Sequence, residues 1–279
     1  MNYGPTDIEG VIQSYADYLL VIDRPTFERF ERARISERES AIAEAIVFRM
    51  LQTLGLRPEL HERVGTGGAD FLCGGPSPAN QIIVEATSLD PEAVTKRSNL
   101  SNEPPEDIQG GPFGLVTRNV CNKAKDKDSQ LAGYPMPRVL AIASSHEGIG
   151  ALFNPGGAQY ALVSEPHWYA GRDGEFTNLR DSVFIRPSDD KASIVSCRGN
   201  ISAILLIGVY GDRSQVCGIL HPDPTYPLNV GFFPKVPFIR LAKWPIVDGR
   251  ISTEWVISDP DGYSLHHAKV RLPDLRDPK

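Results

Sequence analysis

The spacing of hydrophobic residues predicts two helices at the start of the chain. After Asp7, a residue suited to the N-cap position, apolar side chains recur along one helical face: Ile8, Val11, Ile12, Tyr15 and Leu19. Pro25 then opens a second, shorter helix that carries Phe27 and Phe30. We interpret residues 1–35 as a helical extension of the main domain.

The clearest helical pattern begins at Ser36. Ser36 and Glu39 have the spacing of a capping box, and Gly55 marks the end of the helix. Between them an apolar stripe follows one face: Ile42, Ala45, Ile46, Met50, Thr53 and Leu54. Glu44 lies midway along this predicted helix.

After this helix the hydrophobic period changes from helical to extended. Strands are predicted at residues 59–64, 69–73 and 81–88. Residues 73–80 are rich in glycine, proline and serine, so we interpret them as the loop of a hairpin that joins the last two strands.

The remaining chain predicts mixed structure. We expect a polar loop at residues 90–111, helices at 115–131 and 147–153, and strands at 138–144, 160–164, 201–210 and 216–220, with a late strand through Trp255 and Val256. This order predicts an α/β fold with a mixed central sheet flanked by helices. Residues 36–222 form the predicted core, and the proline-rich residues 223–279 form a C-terminal extended or β region that packs on it.

Composition restricts the class of protein. Hydrophobic residues make up 41% and charged residues 23%, a balance typical of a globular protein. The net charge of -6 counts against a protein that coats nucleic acid without specificity, although an enzyme with a local basic patch stays possible. Four scattered cysteines without a CxxC pair indicate neither a zinc ribbon nor a disulfide framework. With no membrane-length apolar run and no signal peptide, we expect a cytoplasmic protein that does not contact a membrane.

Two carboxylates are the main candidates for chemistry. Asp70 lies in Gly-Gly-Ala-Asp-Phe, and Glu85 lies in Ile-Ile-Val-Glu-Ala-Thr, each beside a strongly β-forming run. The predicted hairpin brings these two acids together, which is costly unless a cation sits between them. A hard divalent ion with oxygen ligands is the natural occupant.

At this point the pattern resembles the PD-(D/E)xK nuclease superfamily, which has the restriction-endonuclease-like fold. That family has a helix, a β-hairpin that carries an Asp and a Glu-x-Lys, then a helix and a further strand. Asp70 stands where the family has Pro-Asp, Glu85-Ala86-Thr87 where it has Glu-x-Lys, and Glu44 where many members carry a helical acid. The resemblance covers residues 36–144.

This chain departs from the family pattern at the strand lysine, which Thr87 replaces. Some members carry the lysine on the following helix instead. There Lys123, Lys127 and Gln130 lie at i, i+4 and i+7 and share one helical face, whereas Lys125 points away.

The resemblance implies a metal-dependent nuclease that acts on DNA, with Mg²⁺ or Mn²⁺ as cofactor. Asp70 and Glu85 would ligate the metal, joined by the backbone carbonyl of Ala86 and by Glu44. Lys127 or Lys123 would supply the cation beside the scissile phosphate, and Gln130 would orient that lysine or the attacking water.

Two other interpretations stay open. The missing strand lysine favours a catalytically silent protein on the same fold, which binds nucleic acid or serves as a partner subunit. An α/β hydrolase-like or transferase domain is the third reading, and the absence of a nucleophile motif counts against it. A homodimer or a protein partner is compatible with each reading.

Overall fold

The computed structural model describes residues 7–62, 68–74, 80–89, 91–98, 113–148, 153–164, 182–190, 193–210, 213–247 and 251–258. Three helices come first: α1 (Ile8–Ile22), α2 (Arg24–Ser36) and α3 (Arg38–Thr53). The Asp7 side chain accepts a hydrogen bond from the Gly10 amide, as expected of an N-cap residue. Gly55 has a φ of +77° and follows the end of α3, in agreement with the sequence.

The capping box predicted at Ser36 is wrong. Ser36 is the last residue of α2, and its hydroxyl donates to the Arg32 carbonyl. Glu37 is the N-cap of α3 and makes no side-chain capping bond. Glu39 instead accepts a hydrogen bond from the Ser145 hydroxyl at 2.6 Å, so long-range contacts replace the local motif.

A hairpin and a parallel crossover follow the helices. Strands β1 (Glu59–Leu60), β2 (Phe71–Gly74) and β3 (Gln81–Ser88) pair antiparallel in sequence order. After α4 (Pro91–Ser98) and α5 (Phe113–Leu131), strand β4 (Arg138–Ser144) pairs parallel with β3. The predicted hairpin and the helix before β4 are therefore confirmed. Strand β1 is shorter than predicted, and residues 63–67 lie outside the described part of the chain.

The second half of the chain extends the sheet from β4. The elements are α6 (Pro155–Val163), β5 (Ile185–Pro187), β6 (Ile194–Ser196), β7 (Ala203–Tyr210), β8 (Arg213–Leu220), β9 (Pro237–Leu241) and β10 (Thr253–Ile257). Within the described residues, the main sheet has eight strands in the order β1-β2-β3-β4-β7-β8-β9-β10, and β5 and β6 form a separate pair. The chain is thus an α/β protein with a mixed sheet and N-terminal helices.

Two hydrophobic clusters cover the two faces of this sheet. Helices α1–α3 pack on the face that presents Ile82, Val84 and alternate residues of β4 and β7. Helices α5 and α6 pack on the opposite face, which presents Ile83 and the intervening residues. Strand β4 is buried at every position because helices cover both of its faces.

Two sequence predictions for irregular and extended segments are wrong. Part of the predicted loop at 90–111 is helix α4, and residues 99–112 lie outside the described part. The predicted strand at 160–164 belongs to α6, where Pro155 opens the helix and Asn154 caps it by accepting from the Gly157 amide. A short run that is apolar on every side fits a buried helix as well as a strand. Of the predicted helix at 147–153, residues 149–152 lie outside the described part.

No helix within the described ranges has the length and apolar character needed to cross a membrane. Cys73, Cys121, Cys197 and Cys217 form no disulfide with one another.

Gly74 is the last residue of β2, in the hairpin that positions both candidate acids. Its backbone conformation gives a first prediction. Gly74 has a φ of +116°, and a Cβ there would lie 2.0 Å from the Asn80 carbonyl oxygen. We expect Gly74→Ala to lower the free energy of unfolding by roughly 1–3 kcal/mol or more, measured by urea denaturation. Gly133→Ala is the matched control, because a Cβ at Gly133 meets nothing within 4 Å. Equal stability of the two variants would contradict this role of Gly74.

Candidate functional site

The hairpin brings Asp70 and Glu85 to neighbouring positions. Phe71 pairs with Val84, so Asp70, one residue before β2, lies opposite Glu85 on β3. The Asp70 Oδ2 accepts a hydrogen bond from the Ala86 amide at 2.6 Å. The Asp70 carbonyl accepts from the His61 amide at 2.9 Å, which ties this residue to the end of β1. Hydrogen bonds from β3 and from the residue after β1 therefore hold Asp70 beside Glu85.

Glu85 is buried, with only 3% of its surface exposed. Its Oε1 lies 2.5 Å from the Lys127 ammonium, which α5 delivers to this face of the sheet. Its Oε2 is also buried and has no hydrogen-bond partner among the described residues. A buried carboxylate oxygen without a partner is costly, so this atom is the strongest local indication that a ligand belongs here.

The last turn of α5 connects Lys127 to the segment that carries Asp70. Gln130 Oε1 accepts from the Lys127 ammonium at 3.0 Å, and Gln130 Nε2 donates to the Gly68 carbonyl at 3.0 Å and to Glu85 Oε1 at 3.3 Å. The Tyr134 hydroxyl accepts from the Ala69 amide at 2.7 Å. Gln130 and Tyr134 thus fix the residues immediately before Asp70.

Two further acids extend the group on the side of the N-terminal helices. Glu44, on α3, accepts a hydrogen bond from the hydroxyl of the buried Tyr15 at 2.6 Å. Glu62, just after β1, forms an ion pair of 2.5 Å with Arg29 on α2. We call Glu44, Glu62, Asp70 and Glu85 the acidic cluster.

Burial and mutual repulsion weaken the acidity of this cluster. Burial raises the pKa of Asp70 well above its usual value, and Glu85 and Glu44 raise it further against the opposing Ala86 hydrogen bond. Burial also raises the pKa of Glu85, although Lys127 lowers it in part. The pKa of Glu44 is raised by burial despite the Tyr15 hydrogen bond and Arg29. The cluster therefore favours a bound proton or another cation.

The remaining predicted residues occupy different surroundings. Lys125 is exposed, as predicted. Lys123 lies one turn before Lys127 and is half-buried, and its role in the site stays a prediction. The backbone of Ala86 is adjacent to Asp70 through its amide, whereas the role of its carbonyl stays a prediction. Thr87 is buried on β3, where the resembled family carries lysine.

Residues 118–138 carry five basic residues and two acids, but not all of these charges are available to a phosphate. Arg138 is buried, donates to the Tyr134 carbonyl at 2.8 Å and lies over the Tyr226 ring, 4.9 Å from its centroid. Asp128 accepts from the Asn200 amide at 3.1 Å. Arg138 and Asp128 therefore serve the packing between α5, β4 and the start of β7.

The donor set fits a hard divalent cation with few protein ligands. Within the described ranges, no three His, Cys, Asp or Glu side chains are arranged to hold a metal ion. Mg²⁺, however, commonly keeps several waters and binds through one or two carboxylates plus substrate phosphates. Asp70 and the unpartnered Oε2 of Glu85 suit that requirement.

The acidic cluster is separate from a groove of about 450 Å³ on the face covered by α1 and α3. That groove is lined by residues of α1, α3, β7 and β8, among them Ile46, Met50 and Val216, and by no member of the cluster. Its charged lining residues are Asp7 and Arg49, and it gathers no group of buried carboxylates, so the cluster is the better candidate site.

Sequence reasoning missed four residues of the site: Tyr15, Arg29, Glu62 and Tyr134. Tyr15 was assigned to the apolar face of α1, where its ring does pack against Phe30 and Phe48. The signal that could have identified it is a hydroxyl on an otherwise apolar stripe, because such a group needs a partner when buried. No local pattern marks Arg29 or Glu62, since their meeting depends on the docking of α2 against the end of β1.

Comparison with protein-family models, curated proteins and solved structures finds no match for this chain.

The raised acid pKa values generate a prediction about stability and pH. The ordinary pKa values are 3.8 for Asp and 4.5 for Glu. In the folded chain Asp70 and Glu85 have raised pKa values, so they keep their protons at a higher pH than in the unfolded chain. These acids therefore contribute most stability at low pH and lose it as pH rises from the ordinary values through the raised folded values. Asp70→Asn keeps an acceptor for the Ala86 amide but cannot ionise, so it should melt at a higher temperature than wild type at pH 7 in EDTA.

Thermal melts between pH 4 and pH 8 measure this effect as the difference in melting temperature between wild type and Asp70→Asn. Each kcal/mol of difference corresponds to a shift of roughly 2–4 °C in a protein of this size. Asp126→Asn, on the exposed face of α5, is the control, and its melting temperature should stay close to that of wild type at every pH. A wild-type-minus-Asp70→Asn difference that does not change with pH would contradict the assignment.

Proposed function

We propose that this chain is a divalent-metal-dependent nuclease that hydrolyses phosphodiester bonds, with DNA as its substrate. The observation that carries the proposal is Glu85. Its carboxylate is buried on a central strand beside Asp70, with one oxygen paired to Lys127 and the other without a partner among the described residues. The unpartnered oxygen lowers the stability of the fold unless a further cation or donor meets it, which favours a functional origin.

The order of elements supports the PD-(D/E)xK interpretation. Helix α3 precedes the β1–β3 antiparallel unit, and α5 leads into β4, which lies parallel to β3. This is the order that the resemblance leads us to expect, with the two acids on the hairpin. The assignment to that family is part of the proposal.

Lys127 is our choice for the lysine that the strand lacks. Its ammonium lies 2.5 Å from Glu85 Oε1, and Gln130 holds it from the other side at 3.0 Å. A lysine held in this way places positive charge beside the phosphate and stabilises the charge that develops there. Gln130 orients Lys127 and, through Gly68, the segment that carries Asp70.

Asp70 and Glu85 would hold the metal, joined by the Ala86 carbonyl and Glu44. When bound, the metal lowers the pKa of the attacking water and neutralises phosphate charge. The Ala86 amide holds Asp70 in place by donating to Oδ2, and Tyr15 holds Glu44 in the same way. Burial of Glu85 excludes water from one side of the site, which strengthens the electrostatic interactions there.

A catalytically silent binding protein is the second candidate. Two observations favour it: Thr87 replaces the strand lysine, and the Lys127 ammonium already neutralises Glu85. On this reading the ion pair is purely structural, and the protein binds nucleic acid or a partner chain without cutting.

The activity of matched variants distinguishes the two functions. Asp70→Ala and Glu85→Ala should abolish Mg²⁺-dependent cleavage, because no cation then organises water and phosphate. Lys127→Ala should retain Mg²⁺ binding and lose rate by roughly 10²–10³-fold, since it removes charge stabilisation and no metal ligand. Lys125→Ala is the control, because Lys125 is exposed on the same helix. Adding Thr87→Lys to Lys127→Ala should restore part of the rate.

The assay uses plasmid DNA, single-stranded DNA and RNA, with Mg²⁺ and Mn²⁺, and calorimetry measures metal binding in parallel. Metal binding without cleavage of any of the three substrates would favour the silent protein. If the wild-type protein neither binds metal nor cleaves any of the three substrates, the proposal is overturned.

A further inference from the structure

Arg29 approaches the acidic cluster from the side opposite to Lys127. Helix α2, which carries Arg29, belongs with α1 and α3 to the layer on one face of the sheet, as the burial of Phe30 in that layer indicates. Helix α5, which carries Lys127, covers the other face. The two cations therefore flank the cluster, one from each helical layer.

Arg29 is also partly open to solvent. In the Arg29–Glu62 ion pair the arginine side chain is 36% exposed and the glutamate side chain 22%, whereas the Glu85 side chain is 4% exposed. An ion pair that is this open to solvent contributes little to stability, because water screens its charges. The open side of Arg29 is available to a group that arrives from solvent.

The charges of the cluster leave a role for this arginine. Arg29 pairs with Glu62 and lowers the pKa of both Glu44 and Tyr15, whereas Lys127 pairs with Glu85. A phosphate is repelled by these acids unless cations lie beside it. Arginine suits that role because its planar guanidinium offers two parallel donors to phosphate oxygens while it stays charged.

We propose that Arg29 binds a backbone phosphate of the substrate next to the scissile one, and that Glu62 holds the guanidinium in place until the substrate arrives. This proposal rests on the proposed nuclease function and adds to it a contribution from the N-terminal helices. Arg29 is a substrate-binding residue in this scheme. Arg29 would bind the substrate equally well in the ground state and in the transition state. Its loss should therefore raise KM more than it changes kcat.

The experiment measures binding of a fluorescein-labelled DNA oligonucleotide, single-stranded and duplex, to the full chain as salt concentration is varied. Ca²⁺ replaces Mg²⁺, and a gel verifies that the oligonucleotide stays intact. Each phosphate contact contributes about 0.9 to the slope of log K against log salt for duplex DNA and about 0.7 for single strands. Arg29→Ala should lower the magnitude of the slope by about that amount and raise KM roughly tenfold with kcat little changed.

Two controls separate this role from a structural one. Arg24→Ala removes an exposed arginine of the same helix that pairs with Glu28 one turn away, and it should leave slope and KM unchanged. Arg29→Ala combined with Glu62→Gln removes the carboxylate that the single variant leaves unpaired. The lowered slope should persist in this double variant, and recovery of the wild-type slope would show that an exposed Glu62 caused the defect.

The outcomes also distinguish this inference from the proposed function. If wild type binds and cleaves DNA but Arg29→Ala keeps the full salt slope and KM, the role of Arg29 is wrong and the nuclease assignment stands. If wild type binds neither oligonucleotide with Ca²⁺ and cleaves nothing with Mg²⁺, the proposed function itself fails.

Discussion

The pair formed by Glu85 and Lys127 is the interaction on which the rest of the candidate site depends. Removing two charges from water costs several kcal/mol for each ion, and attraction offsets this only when the geometry is good. Here the ammonium lies 2.5 Å from one carboxylate oxygen, and Gln130 holds it on the other side. Because β3 and α5 each supply one member, the pair also fixes the helix against the sheet.

The surroundings of this pair store unfavourable electrostatic energy. Glu85 Oε2 has no partner within the described residues, and Glu85 and Glu44 lie close enough to Asp70 for each of them to raise its pKa. Hydrogen bonds from Tyr15 and the Ala86 amide recover part of the cost. Natural proteins retain such groups where function requires them, at the expense of stability elsewhere. The hydrophobic layers on both sheet faces supply the stability that this arrangement needs.

The N-terminal helices α1 and α2 contribute side chains both to the candidate site and to the hydrophobic core. Tyr15 of α1 reaches Glu44, and Arg29 of α2 reaches Glu62, while the same helices bury Leu19 and Phe30 in the core. One set of packing contacts therefore stabilises the sheet and positions polar groups at the cluster. Removal of α1 and α2 would alter the hydrophobic layer and the electrostatics together.

The C-terminal part of the chain joins the same sheet. Strand β9 pairs parallel with β8, and β10 pairs with β9 at the edge. Residues 232–244 mix basic and aromatic side chains and pack largely inward, since Phe233 and Phe238 are fully buried and Arg240 pairs with Glu254 at 2.7 Å. Its aromatic residues contribute to the core instead of a surface for stacking bases.

The sequence by itself determined the elements whose signals are local. Helical periodicity identified α1, α2 and α5, alternation and turn residues identified the β2–β3 hairpin, and the shared face of Lys127 and Gln130 followed from helical spacing. Local signals failed where distant partners decided the outcome. Glu39 bonds Ser145 instead of capping a helix, and the apolar run that ends α6 fits a strand equally well.

Only the tertiary structure decided which polar groups meet. Tyr15 and Glu44 are 29 positions apart, Lys127 and Glu85 are 42 apart, and Ala69 and Tyr134 are 65 apart. No sequence period spans such separations, because they are set by the order of strands in the sheet and by the docking of helices on its two faces. The pKa shifts follow from the same source, since burial, their largest cause, is a property of the packed layers and of no single segment.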